Sequence, residues 1–169
     1  MTITILVPVY GVEKYIEECA ESLFSQKYDD IEYIFCDDYT PDRSIDILRK
    51  VVERHPEREG HVRIIRNEQN KGLGGTRLHL ISEVKTDYFL IVDSDDVLPL
   101  NAVAALASKM KEADTDIVDG AYSVYADEKS AKAILPPHDS PSKYLDKILC
   151  QNIILPRQNI LRLPTRFPH

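Results

Sequence analysis

Short apolar runs alternate with stretches of helical period along the first 120 residues, and this alternation constrains the fold more than any other feature of the chain. Ile3–Val7, Ile31–Cys36, Val62–Ile65 and Tyr88–Val92 have the length and the β-branched or aromatic content of buried strands. Pro8 closes the first run. Val12, Tyr15, Ile16, Cys19 and Leu23 then recur at helical spacing and predict an amphipathic helix over about residues 12–26. Thr40-Pro41-Asp42 reads as the start of a second helix, with Thr40 as cap, Pro41 at the first helical position and Asp42 complementing the dipole. Ile45, Leu48 and Val52 form its buried stripe. Asn70-Lys71-Gly72-Leu73-Gly74-Gly75 reads as a flexible loop before a helix that runs to about Val84. Pro99 opens a further helix with Leu100, Val103, Leu106, Ala107 and Met110 inward, and Asp116–Asp119 begins a fifth strand. Strand–helix alternation of this kind predicts an α/β fold, Rossmann-like, with a mostly parallel sheet and helices on both faces.

A parallel sheet gathers its strand ends on one edge, and ligands bind there. The fourth run leads directly into Asp93-Ser94-Asp95-Asp96, three carboxylates within four positions. Like charges this close repel, and a divalent cation removes the penalty; Asp oxygens suit Mg²⁺ or Mn²⁺. Asp93, Asp95 and Asp96 are therefore the candidate metal ligands, the competing reading being a solvated acidic turn. The net charge of −7 argues against non-specific nucleic-acid binding, which needs a basic footprint. It leaves an anionic ligand open, because a local metal or Arg can invert the field.

Cys19, Cys36 and Cys150 are scattered without metal-ligand spacing, which predicts reduced, buried thiols in a cytoplasmic protein. No run has the length of a membrane-spanning helix, and Ile3–Val9 is too short and lacks the basic flank of a signal peptide. Beyond residue 125 the periodicity fades. Ala126–Ser142 reads as a Pro-rich loop, Tyr144–Cys150 as a short helix, and Ile153–His169 as apolar and basic by turns. The expected organisation is a ligand-binding core over residues 1–125 and the start of a second region over 126–169.

The strand ends also carry Pro8-Val9-Tyr10-Gly11 and Asp37-Asp38-Tyr39-Thr40-Pro41-Asp42. Ser22-Leu23 with Gln26, Asn70-Lys71-Gly72 with Thr76-Arg77-Leu78, and Asp93-Ser94-Asp95-Asp96 complete an ordered set of five motifs. In order and spacing this set closely resembles the inverting glycosyltransferases of family 2, which have the GT-A fold. The resemblance implies transfer of a sugar from a nucleotide-diphosphate donor, UDP-sugar favoured, to a saccharide or lipid-linked acceptor in cell-surface polysaccharide synthesis. It implies that Pro8, Val9 and Tyr10 contact the nucleotide base, that Asp38 accepts from the base imide, and that Lys71, Arg77, Asp93 and Ser94 complete the nucleotide site. It implies Mn²⁺ or Mg²⁺ at Asp93, Asp95 and Asp96. Cytoplasmic placement, peripheral at the inner face of a membrane, goes with such acceptors. Gly11, Tyr39 and Leu78 depart from the usual Asn, Gly and Asn of the family, and Tyr39 stands at the mouth of the base pocket.

Inverting transfer needs a general base on the acceptor side. The Arg166-Phe167-Pro168-His169 stretch resembles the lead-in to that carboxylate in the family, so the base is expected beyond His169 and the chain reads as a truncated donor-binding fragment. Self-association through apolar residues near Ile153, Ile154, Leu155, Ile160 and Leu161 is expected to accompany this. Two other readings compete. A non-catalytic sugar-nucleotide-binding module describes a fragment without its base. A nucleotidyltransferase would carry a Gly-rich cationic loop after the first strand, where this chain has no cation until Lys14.

Overall fold

Seven consecutive buried residues, Ile3–Val9, form the central strand β1, and the other elements assemble around it. A computed structural model describes residues 1–113 and four further strand segments at 118–119, 122–124, 132–134 and 153–156. β1 pairs in parallel with β2 (Ile31–Asp37) on one side and β4 (Tyr88–Ile91) on the other; β3 (Val62–Arg66) pairs in parallel with β2. Ile3 lies opposite both Ile31 and Tyr88, so these strands start level and finish on the same edge.

Alternate residues of β1 serve opposite faces, as the two-residue period of a strand requires. Ile3, Ile5, Val7 and Val9 pack with α1 (Ile16–Phe24), α2 (Ser44–Arg54) and α5 (Ala102–Ala113). Leu6 joins Ile34, Cys36, Phe89 and Ile91 beneath Leu80 and Val84, which belong to α4 (Gly72–Ser82) and the turn after it. Helices thus cover both faces of a mostly parallel sheet, as expected. Each fully buried aliphatic or aromatic side chain contributes about 1.5–3 kcal/mol.

Pro8 does not end β1. The strand continues to Val9, and Pro8 is level with Cys36. Leu6 accepts from Val92 N on the β4 side, and Val9 accepts from Asp38 N on the β2 side. Pro8, two residues from Leu6, therefore turns its ring nitrogen toward β4, which has already ended at Ile91. No ladder bond is lost there, so a proline is tolerated in a central strand.

Helix starts differ from the sequence expectation for local reasons. α1 begins at Ile16 because the backbone at residues 11–13 is bonded elsewhere. Thr40 does not cap α2; the helix starts at Ser44, whose N–H donates to Asp42. Four of the six residues of the expected loop at 70–75 are helical, since Asn70 Oδ1 accepts from Gly72 N and starts α4 there. Leu100, expected inward, is exposed, because α5 begins two residues later at Ala102. A short α3 (Pro56–Glu59) follows α2.

The far edge carries the expected fifth strand and, beside it, one that the sequence did not announce. β8 (Ile153–Pro156) runs antiparallel between β4 and β5 (Val118–Asp119), giving the order β3-β2-β1-β4-β8-β5. The backbone of Ile153–Leu155 is thus paired within the sheet. β6 (Tyr122–Val124) and β7 (Lys132–Ile134) form a separate hairpin, so part of the expected loop is strand. The expected Tyr144–Cys150 helix, Cys150, Ile160, Leu161 and the Arg166–His169 stretch lie outside the described residues. Cys19 and Cys36 are free, buried thiols. No helix among the described residues is long and apolar enough to cross a membrane.

His55, between α2 and α3, ties them to α1: its Nε2 lies 2.7 Å from Glu21 of α1 and its Nδ1 3.0 Å from Glu57 of α3. Partial burial opposes a charge on His55, but the hydrogen bonds to Glu21 and Glu57 outweigh it and raise its pKa. A His whose folded pKa exceeds its unfolded value contributes its full stabilisation below the unfolded pKa. That contribution disappears as pH rises through the folded value. Urea unfolding should therefore show stability falling as pH rises from about 6 to 8, with a shallower fall in His55→Gln. An equal slope in the two proteins would remove His55 as the cause.

Candidate functional site

The ends of β1, β2 and β4 open into a cleft of about 420 Å³. Pro8, Val9 and Tyr10 line it from β1, Asp38 from β2, and Asp93, Ser94 and Asp95 from β4. The N-terminal turn of α4 closes one side with Gly72, Leu73 and Thr76. Seven of the ten predicted site residues meet in this cleft. Lys71, Arg77 and Asp96 are not part of its lining. Val12, Asn70, Gly72, Leu73 and Thr76 line it without having been named as site residues; Asn70, Gly72 and Thr76 stood in the quoted motifs, whereas isolated apolar residues such as Val12 and Leu73 carry no distinctive sequence signal.

The loop after β1 is held by side chains of the loop after β2. Gly11 N donates to Thr40 Oγ1 at 2.9 Å, Val12 N to Ser44 Oγ at 3.1 Å, and Glu13 N to Asp42 Oδ2 at 3.0 Å. Asp42 Oδ1 accepts from Thr40 Oγ1, Ser44 N and Ser44 Oγ. Partial burial works against a charge on Asp42, but these bonds prevail and lower its pKa. Asp42 thus locks two loops together, well beyond the dipole role read from the sequence. Gly11 has a φ of +67°, so its place in the motif suits a residue without Cβ. Three successive N–H groups that could have cradled a phosphate are already bonded.

Asp37 and Asp38 are both buried but do different things. Asp37 Oδ1 accepts from Thr40 N at 2.8 Å and Oδ2 pairs with Arg66 Nε at 3.2 Å, which makes it a turn residue. Asp38 Oδ1 accepts from Asn67 Nδ2 and Lys71 N, both at 2.7 Å. Both bonds fall on Oδ1, so Oδ2 is the oxygen available to a donor in the cleft. Lys71 enters this site through its backbone N–H, while its side chain is exposed. Tyr39 has a φ of +61°, the left-handed region, which explains why glycine suits that position. Its ring lies 4.8 Å from the Arg66 guanidinium, a cation–π contact that helps hold the strained backbone.

The acidic loop is fixed from behind. Arg77, 4% exposed, donates to Asp93 Oδ1 at 2.5 Å. It is therefore a buried partner that orients Asp93. Ser22 Oγ accepts from Leu98 N. Buried Gln26 donates to Pro99 O at 2.8 Å and accepts from Val103 N at 3.1 Å. The Ser22…Gln26 motif thus anchors the segment that follows Asp96. Burial, followed by Asp95 and Asp93, raises the pKa of Asp96. Burial and the same three carboxylates push the Cys19 thiol up to about 12, so it stays protonated beside Asp93 O. Among the described residues, no three acidic, His or Cys side chains converge closely enough to hold a metal alone. Asp93 and Asp95 do present two carboxylates to one cleft, and Mg²⁺-like cations are commonly held by one or two carboxylates plus ligand phosphates.

Residues 4–157 match the glycosyl transferase family 2 profile, and the chain belongs to that family. It is 34% identical over 123 residues to the glycosyltransferase GlyG of Streptococcus pneumoniae serotype 4, covering 73% of this chain and 40% of that protein. It is 32% identical over 145 residues to the uncharacterized glycosyltransferase EpsJ of Bacillus subtilis, covering 86% and 40%. A poly(ribitol-phosphate) beta-glucosyltransferase of Bacillus spizizenii is 37% identical over 122 residues, covering 71% and 19%. The chain therefore spans two fifths or less of these relatives. The structure of S. aureus TarS 1-349 with UDP superposes with a TM-score of 0.78 at 22% identity, over 99% of this chain and 50% of that one. The mannosyltransferase PcManGT of Pyrobaculum calidifontis, in complex with GDP-Man and Mn²⁺, gives 0.69 at 16% identity, over 98% and 47%. These likenesses establish the GT-A fold.

Removal of the Asp42 carboxylate leaves Glu13 N, Ser44 N and two hydroxyls to find new partners. Asp42→Ala should lose about 1–3 kcal/mol in urea unfolding at neutral pH. A carboxylate with a depressed pKa contributes above its unfolded value and is lost as pH falls through the folded one. The difference between variant and parent should therefore shrink in acid. A loss that did not change with pH would contradict the charged clamp.

Proposed function

We propose that the cleft binds the nucleoside diphosphate part of a sugar donor, UDP-sugar favoured, and that the chain supplies the donor half of an inverting glycosyltransferase. The observation that carries this reading is the convergence of Asp38 and of the Asp93/Asp95 pair on one cleft, separated by β1. Strands neighbour at about 4.8 Å, so the ends of β2 and β4 stand roughly 10 Å apart. That matches the separation of a nucleobase from its diphosphate. Structures of TarS hold UDP and UDP-GlcNAc, which favours uridine here.

In this reading Tyr10, half exposed on the cleft wall, covers one face of the base, and Asp38 Oδ2 accepts its imide N–H. Pro8 and Val9 form the apolar floor. Ser94 and the α4 start at Lys71 border the ribose and diphosphate. Asp93, oriented by Arg77, and Asp95 hold Mn²⁺ or Mg²⁺, with Asp96 behind them. The cation would neutralise charge on the departing diphosphate. The cleft carboxylates are all committed to base or cation. The acceptor hydroxyl of a saccharide or lipid-linked acceptor would then give its proton to a base outside residues 1–113, in a region begun after residue 125. A peripheral position at the inner face of a membrane suits a lipid-linked acceptor. The relatives in polysaccharide and teichoic acid synthesis favour such acceptors. The bonded N–H groups of residues 11–13 weigh against a nucleotidyltransferase. A module that binds donor without transfer remains the second reading, favoured by the commitment of every cleft carboxylate.

Calorimetry tests the reading. UDP should bind at least tenfold more tightly with Mn²⁺ than with chelator, a gain of about 1.4 kcal/mol, and Asp95→Ala should lose most of that gain. Equal affinity in both conditions would overturn the metal assignment.

A further inference from the structure

Asp38 does not stand alone in its wall. Asn67, at 2% exposure, sits directly behind it with every polar group of its side chain assigned. Its Nδ2 donates to Asp38 Oδ1 at 2.7 Å and to Thr76 Oγ1 at 3.0 Å. Its Oδ1 lies 2.6 Å from His79 Nδ1. An amide oxygen has only lone pairs, so His79 must carry its proton on Nδ1 and donate it. Cys36 Sγ is also near that nitrogen but at 3.8 Å, and the shorter bond takes the proton. The backbone of Asn67 is fixed separately, since its N–H donates to Asp37 O at 2.9 Å. Thr76 and His79 are three residues apart on α4 and so share a helix face. The amide has one orientation that satisfies all three of its partners.

A rotated Asn67 would turn its carbonyl on the Asp38 carboxylate. Two acceptors would then face each other in a buried wall, an arrangement that carries a full desolvation penalty. From this geometry we infer that Asn67 and His79 are positioning residues for base selection: His79 fixes the Asn67 amide, and Asn67 fixes which Asp38 oxygen faces the nucleobase. The selected chemistry is a base with an N–H donor at the position that meets Oδ2, as in uracil. Cytosine offers a lone pair there and would be rejected. Neither Asn67 nor His79 lines the cleft, so both act through Asp38. The inference rests on the reading of Asp38 as the base-contacting carboxylate.

The test compares Asn67→Ala, His79→Ala and His79→Asn with the parent chain by calorimetry in Mn²⁺. UDP, CDP and inorganic pyrophosphate are the three ligands. Asparagine places Nδ2 where histidine has Nδ1, so His79→Asn keeps the donor. Both alanine variants should narrow the UDP-over-CDP preference by about tenfold, with pyrophosphate affinity unchanged, and His79→Asn should restore the preference. His79 is half-buried on a helix, so His79→Ala decides the question if Asn67→Ala fails to fold. Alanine variants that keep the parental preference would overturn the inference and leave the donor reading standing. So would parallel losses in UDP, CDP and pyrophosphate affinity, which would mark a general structural role. A parent chain that binds none of the three would overturn the donor reading and this inference with it.

Discussion

β1 is paired on both edges by strands that run in its own direction, and the site depends on that constraint. A parallel strand cannot turn straight back into its neighbour, so each must be followed by a crossover, here a helix. The crossovers after β1 and β2 pack on one face, and the chain then returns to the other side of β1 as β4. The strand order changes direction between β1 and β4, and such a switch point opens a crevice at the carboxyl edge. Tyr10, Asp38 and Asp93 reach one cleft because they follow three level strands, although they are far apart in the chain.

A cleft built from strand-end loops would be soft if the loops were not tied to one another. Here each is held by a neighbour. Residues 40–44 secure the loop after β1, Asn67 and Lys71 secure the end of β2, and Arg77, Ser22 and Gln26 secure the acidic loop. Much of this bonding is buried, where an unmade hydrogen bond is expensive and a made one is rigid. Preorganisation of this kind lets a small number of side chains define a ligand's position without ordering costs on binding. Arg77 is the most exacting tie. A buried Arg–carboxylate pair is a modest source of stability but a costly one to break from one side. It holds Asp93 in place against the repulsion of Asp95 and Asp96.

The sheet was legible in the sequence because buried parallel strands are nearly continuous apolar runs, and Ile3–Val7, Ile31–Cys36 and Tyr88–Val92 are such runs. Residues 3–113 therefore read correctly apart from element ends and the short α3, which has no sequence signal of its own. The ends were misplaced where side chains took over backbone bonds, as Ser44 and Thr40 do for residues 11 and 12, since such contacts join positions some thirty residues apart. β8 was missed because an antiparallel insertion is a long-range pairing with no local period. At the site, carboxylates next to apolar runs are conspicuous, and Asp38, Asp93 and Asp95, named from the sequence, line one cleft. Asn67 and His79 were not named, because a buried polar network looks in sequence like ordinary loop and helix residues. Lys71 was named through the Asn70-Lys71-Gly72 motif, and it is its backbone N–H that meets Asp38.

The central claim is that one cleft at the ends of β1, β2 and β4 holds base and cation together. Amide NMR with UDP and a trace of paramagnetic Mn²⁺ tests it most directly. The account predicts line broadening centred on residues 93–96, together with shift changes at Tyr10 and Asp38 that need no Mn²⁺. Broadening centred instead on the acidic surface of α1 and α2, near Glu17 and Glu21, with Tyr10 and Asp38 unmoved, would contradict it.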